Sequence, residues 1–154
     1  MPREVVRIER LTVRDGCIAC EVTVLPGSPR DSTPEIAARL TRRFPTLARH
    51  ACVNEHGDTF GACMDATPLP HVLEHLVIDL QVRADEERAR RMRPEAANSA
   101  AAVDGVSASA YVGTSEWTDE SAGRARVEVS FTDDLVALRA FRDAAAALND
   151  AVVP

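Results

Sequence analysis

The sequence is poor in aromatic residues, which make up 4% of its 154 positions, with one tryptophan and one tyrosine. It has no excess of positive charge either: 18 Lys and Arg stand against 24 Asp and Glu, a formal net charge of -6. A nucleic-acid binder needs a basic field to hold phosphates and π-faces on which bases stack. With neither present, nucleic acid is not an expected partner. Long apolar runs are also missing. No stretch approaches the roughly 20 apolar residues of a membrane helix, and the opening MPREVVRIERL is broken by charges where a signal peptide has an apolar segment. The expected location is therefore cytoplasmic, with no membrane partner.

Cysteine and histidine are scarce, at four residues each. Cys17 and Cys20 form a CxxC pair, but they lie in an alternating strand pattern, where residues three apart point to opposite faces. That placement argues against a zinc knuckle or a redox pair and for incidental or buried thiols.

A length of 154 residues suits a single domain, 1–154, with one core between two layers. Residues 5–13 and 17–24 alternate around the turn Arg14-Asp15-Gly16 and predict a β-hairpin. LPGSPRDS breaks the pattern, and Thr33-Pro34 starts a helix that runs to about Phe44. Residues 47–64 read as a short strand with a loop. A long helix is predicted from Pro70 to about Met92, with Leu73, Leu76, Val77 and Leu80 as its apolar stripe and a charged, solvent-facing extension beyond. Pro94 ends it, and the Ala-, Asn- and Ser-rich residues near 94–104 predict a flexible connection. Strands are expected at 106–112 and 124–131, separated by the polar TSEWTDESAG, before a helix from Thr132-Asp133-Asp134 to about Asn149. The order ββα, α, ββα implies an α+β fold in which an antiparallel or mixed sheet is covered by helices in two layers.

The chemistry concentrates in PLPHVLEHLVIDLQ, residues 68–81. At 3.6 residues per turn His71 and His75 are one turn apart, so their imidazoles can converge on one ion, with Glu74 beside both. This is an HxxEH pattern, the inverse of HExxH. In such motifs two histidines hold zinc, and a carboxylate that is not a ligand takes the proton from water. His71 in the first turn also feels the positive end of the helix dipole, which favours the neutral ring a metal requires. The bland alternative is a pair of helix-surface histidines with Glu74 as an ion-pair partner. A two-histidine site needs a third ligand. Glu116 in GTSEW is one candidate, Asp79 a second, as ligand or as a partner orienting an imidazole, and His50 or Cys52 a third, as ligand or substrate contact. Glu128 faces away on strand phase. Arg49, beside His50, can hold a substrate carboxylate or simply face solvent.

The runs PTLARHAC, Gly57 with Phe60, TPLPHVLEHLVIDLQ and YVGTSEW, followed by a strand and an Ala-rich helix, resemble the amino-terminal domain of cyanophycin synthetases over roughly residues 5–150. HVLEHLVIDLQ is the most specific part. The HxxEH spacing also resembles the inverted zinc motif of pitrilysin-type peptidases and of S-ribosylhomocysteine lyases. In the synthetase family this domain precedes an ATP-grasp module and a Mur-ligase-like module, and in some members it resembles a small metallopeptidase that cuts an aspartate-arginine polymer. The resemblance implies zinc on His71 and His75, Glu74 as general base and Glu116, by position, as third ligand. Two departures stand out. A chain of 154 residues holds neither ATP-dependent module, and VNEHGDTFGACMDATP replaces a glycine-rich, positively charged stretch before the motif.

The expected function is thus zinc-dependent hydrolysis of a peptide or isopeptide bond in a peptide or polyamide substrate, with the aspartate-arginine polymer as one candidate. Asp65, Asp79 and Glu116 are the carboxylates available to meet an arginine. A noncatalytic partner of a separately encoded ligase and a metal-dependent lyase are the alternatives.

Overall fold

A computed structural model describes residues 3–92 and 110–153. The first hairpin forms as expected: β1 (Val6–Val13) and β2 (Cys17–Val24) pair antiparallel. Gly16, at φ +77°, supplies the left-handed turn residue between them. Helix α1 (Pro34–Arg43) begins with proline in its first turn, and the Thr33 hydroxyl accepts the Ile36 N–H at 3.3 Å. The segment after it, read from sequence as one strand and a loop, is a small two-stranded sheet of β3 (Ala51–Asn54) and β4 (Gly57–Thr59). It is flanked by two 3-10 turns, Leu47–Arg49 and Phe60–Ala62.

Helix α2 (Leu69–Met92) is followed by β5 (Gly113–Asp119), β6 (Arg124–Ser130) and α3 (Asp134–Val152). Asp133 caps α3 by accepting from the Leu135 and Val136 N–H groups. The strand expected at 106–112 instead starts at Gly113, so TSEW lies inside the strand and not in the turn; residues 106–109 and the connection expected near 94–104 lie outside the described residues. Alternation explains the shift, because the polar residues Thr114, Glu116 and Thr118 occupy the solvent face of an edge strand, where periodicity without apolar partners reads as loop.

The four-stranded sheet is antiparallel throughout in the order β1-β2-β6-β5, which settles the antiparallel-or-mixed alternative for the described strands. Ile18, Cys20, Val22, Val24, Ala125, Val127 and Val129 face the helices α2 and α3. On the opposite face a charged row crosses all four strands, Arg10 opposite Glu21, Glu21 opposite Arg126, and Arg126 opposite Glu116.

The first half of α2 departs most from its expected stripe. It lies against β5 and β6 on one side, α3 on another and the 3-10 turn before β3 on a third, so it is buried nearly all round. Leu69, Val72 and Ile78 are buried along with Leu73, Leu76 and Val77, and so are the polar residues Glu74, His75, Asp79 and Gln81. No helix among the described residues is long and apolar enough to cross a membrane.

Candidate metal centre

A buried histidine, carboxylate or amide must find partners, because an unsatisfied polar group in a core costs a few kcal/mol. Tracing the partners of the α2 polar residues draws the site. The Asp79 carboxylate is 1% exposed. Its Oδ1 accepts from Thr46 Oγ1 at 2.6 Å and meets His50 Nε2 at 3.0 Å, while Arg83 Nε lies 3.1 Å from Oδ2. Burial pushes the Asp79 carboxyl up, but the hydrogen bonds from His50 and Thr46 and the charge of Arg83 outweigh it and hold the group below the ordinary carboxylate range. Asp79 therefore accepts through Oδ1, while Oδ2 makes no hydrogen bond and meets only the charge of Arg83.

From that anchor the proton positions follow by elimination. His50 must place its proton on Nε2, because a lone pair there would face the carboxylate. His50 Nδ1 is then an acceptor, and it lies 3.1 Å from His75 Nδ1, so His75 donates from Nδ1. The His75 Nε2 lone pair is left pointing away from this chain, at His71 Nε2 3.2 Å distant. His71 has its own orienting partner, the Thr67 hydroxyl 2.9 Å from its Nδ1, and in the tautomer that donates to that hydroxyl its Nε2 offers a second lone pair. The two Nε2 atoms face each other across 3.2 Å, and Cys52 Sγ stands 3.5 Å from His71 Nε2. The ligand atoms of Cys52, His71 and His75 all lie within 4.8 Å of one another.

Electrostatics keeps the rings neutral. Burial, reinforced by the neighbouring His71 and His50, presses His75 down to about 3, and burial lowers His71 as well. Phe60 braces both imidazoles, stacked on His75 at 4.0 Å between centroids and edge-on to His71 at 5.2 Å. Two imidazoles and one thiol brought this close, with the outer nitrogens already engaged, can in principle ligate a metal ion.

Glu74 sits beside this set and is buried; desolvation lifts its carboxyl to about 7, partly offset by a hydrogen bond with Ser115. It lies against Gly113 of β5, where a Cβ would come within 2.6 Å of Glu74 Cγ, so that position has room for the carboxylate only as glycine. The ligands and Glu74 line a cleft of about 720 Å³ between β3 and the start of β5. The β5 entry is fixed by Tyr111, whose hydroxyl donates to Asp85, and by Gln81, whose amide donates to the Ser130 carbonyl at 3.1 Å.

Of the residues singled out from sequence, the structure brings His71, Glu74, His75, His50, Cys52 and Asp79 together, with Asp79 as the partner that orients His50. Glu116, the position implied for a third ligand, is not brought there. On β5 it shares the exposed face with Thr114 and Thr118, opposite Arg126, while Gly113 and Ser115 turn toward the cleft; the side chain grouped with His71 and His75 is Cys52. Arg49 and Asp65 are exposed and line no part of the cleft. Cys17 and Cys20 lie on β2, away from the cluster, and burial first and then Glu21 push the Cys20 thiol up to about 12. Thr67, Phe60 and Gly113 escaped the sequence reading as site residues. Only Thr67 carried a signal, four residues before His71 and hence one turn away.

Residues 18–103 match the sequence family described as the cyanophycin synthase-like N-terminal domain. No curated protein and no solved structure matches the chain.

Proposed function

Because the chain belongs to the family of cyanophycin synthase-like N-terminal domains, and carries a Cys52, His71, His75 cluster able to hold a metal, we propose that it is a zinc-dependent hydrolase of amide bonds. The observation that carries this reading is the convergence of three ligand atoms, with His71 Nε2 and His75 Nε2 3.2 Å apart, Cys52 Sγ 3.5 Å from the former, and all three within 4.8 Å of one another. Burial disfavours the imidazolium forms of His75 and His71, which keeps both rings in the neutral state that a metal ligand requires.

In this reading Cys52, His71 and His75 hold zinc, Thr67 and the Asp79-His50 pair fix the two imidazoles, and Glu74 is the general base. Bound zinc supplies Lewis acidity, polarising a carbonyl oxygen and lowering the pKa of water. Glu74 accepts the proton of the attacking water and returns it to the nitrogen of the departing amine. A carboxyl lifted to about 7 is matched to that exchange near neutrality. Among the described residues the cleft beside the cluster has room of about 720 Å³ and is bordered by exposed Val53 and Val112, which supports chemistry over a purely structural role for the cluster.

The test is metal content together with turnover. Chain purified without a histidine tag or chelator should contain close to one zinc, His75→Ala should contain none, and Glu74→Gln should retain zinc while losing release of new amine termini from a peptide panel. Full zinc in His75→Ala would end the assignment; turnover unchanged in Glu74→Gln would remove the base.

A further inference from the structure

The cleft has two borders that the ligand set does not explain. The first is a strand edge. β5 pairs with β6 on one side, and among the described residues no strand pairs with its other side. In antiparallel sheets, opposed pairs alternate between those that exchange backbone hydrogen bonds and those that do not. The Val112 carbonyl accepts from Ser130 N at 2.8 Å and the Val112 N–H donates to Ser130 Oγ at 2.8 Å, so Val112 turns its backbone toward β6. Thr114 opposite Glu128 and Glu116 opposite Arg126 continue that phase. Gly113 and Ser115 therefore direct their N–H and C=O groups to the open edge, and both residues line the cleft. Glu74 lies directly against the first of them.

The second border is apolar. Val53 on β3 is 91% exposed and Val112 is 70% exposed, and both line the same cleft. Among the described residues and apart from the histidines, Glu74 is the only formally charged side chain in the lining, which includes no arginine or lysine.

We propose that the substrate is an extended polyamide chain that adds to the outer edge of β5 as a further strand, pairing with the backbone of Gly113 and Ser115, and that it bears an uncharged aliphatic side chain against Val53 and Val112. Strand addition takes affinity from main-chain hydrogen bonds and specificity from pockets that meet alternate side chains. A chain laid on Gly113 and Ser115 passes Glu74 and the ligand cluster, which brings its carbonyls to the chemistry. Among the described residues a cationic side chain in the cleft would meet no carboxylate except Glu74, the group assigned to the chemistry, and would lose hydration for little return. Only the fate of the bound chain rests on the hydrolase reading; the mode of binding does not.

Binding is measured by fluorescence anisotropy on the full chain carrying Glu74→Gln, which cannot turn over the probe, in zinc-loaded and chelator-treated forms. The probe is a blocked, end-labelled hexapeptide alternating valine and serine. Two N-methylated versions each block alternate backbone amides, one set in each. One methylated set should weaken binding at least tenfold and the other by less than twofold, because only every second amide faces β5. Equal effects of the two sets, or no binding of the parent peptide, overturn strand addition. Replacing the valines by arginine should weaken binding about tenfold, and the double substitution Val53→Asp with Val112→Asp should reverse that preference. Arginine peptides that bind the unaltered rim as tightly as valine peptides overturn the uncharged class. Discrimination between the methylated sets that persists without zinc upholds the β5 mode even where hydrolysis fails, so the two readings fail separately.

Discussion

His50 and His75 meet nitrogen to nitrogen, Nδ1 to Nδ1 at 3.1 Å, and the Asp79 carboxylate on the far side of His50 decides which of the two rings donates. Asp79→Asn removes that decision, since an amide can present either a donor or an acceptor to His50. Zinc affinity should fall roughly 10–100-fold, the usual effect of losing a partner that orients a ligand. Competition against a chromophoric chelator measures it, and an unchanged affinity would detach Asp79 from the site.

The same carboxylate predicts an acid dependence. Its folded-state pKa is held below the ordinary 3.8, so its stabilising contribution is fully present above that value and is lost as pH falls through the lowered one. In urea titrations of zinc-free chain, Asp79→Asn should be about 1–3 kcal/mol less stable than wild type at neutral pH, the range for a hydrogen bond to a charged group. The gap should narrow below pH 3.8. A gap that widens in acid would contradict the sign.

Cys52 and Glu116 give opposite expectations. With cobalt in place of zinc, a thiolate ligand produces a charge-transfer absorption that imidazole and carboxylate ligands lack. That band should be present in wild type and in Glu116→Gln and absent in Cys52→Ser. A wild-type chain that binds cobalt without the band, with cobalt lost in Glu116→Gln, would restore the carboxylate as third ligand.

Gly113→Ala places a Cβ 2.6 Å from Glu74 Cγ and 2.8 Å from its Oε1, so the carboxylate must move. Overpacking of this kind costs about 1–3 kcal/mol. Zinc content should be retained and turnover should drop with it, because the ligands are untouched while the base is displaced. Equal activity in Gly113→Ala at full metal content would show that Glu74 is not held by this contact.

The four thiols should separate by reactivity. Cys20 is fully buried, its pKa pushed up to about 12 by desolvation and then by Glu21, whereas Cys52 is half-buried at the cleft. Alkylation of native zinc-free chain, mapped by mass spectrometry, should label Cys52 and spare Cys20, and zinc should protect Cys52. Cys20 labelled at the rate of Cys52 would place it outside the core.

What was legible in the sequence follows the ranges of the forces involved. The hairpin, the capped helices and the His71, Glu74, His75 constellation rest on spacing within one or two turns, and the element order followed from them. The choice among the further candidates did not, because Cys52 reaches the histidines through the β3–β4 hairpin, a tertiary contact that no local period encodes. The phase of β5 was hidden by its polar solvent face, which is why Glu116 read as a loop residue aimed at the metal. His50 was visible as a candidate, yet its role depended on Asp79 being buried on a helix whose expected stripe left that residue in solvent. Burial on several sides of α2 is a property of the packing partners, and a single helical pattern does not carry it.

The Phe60 ring lies over His75 at 4.0 Å and within 19° of parallel. A proton held above an aromatic face is shielded by the circulating π-electrons, so the carbon-bound protons of the His75 imidazole should resonate upfield of those of exposed His56. The stack thereby gives the molecule a built-in spectroscopic reporter. Any tilt of the imidazole as it takes up an ion changes the shielding, and the resonance of one ring follows the geometry of the whole cluster without an added label.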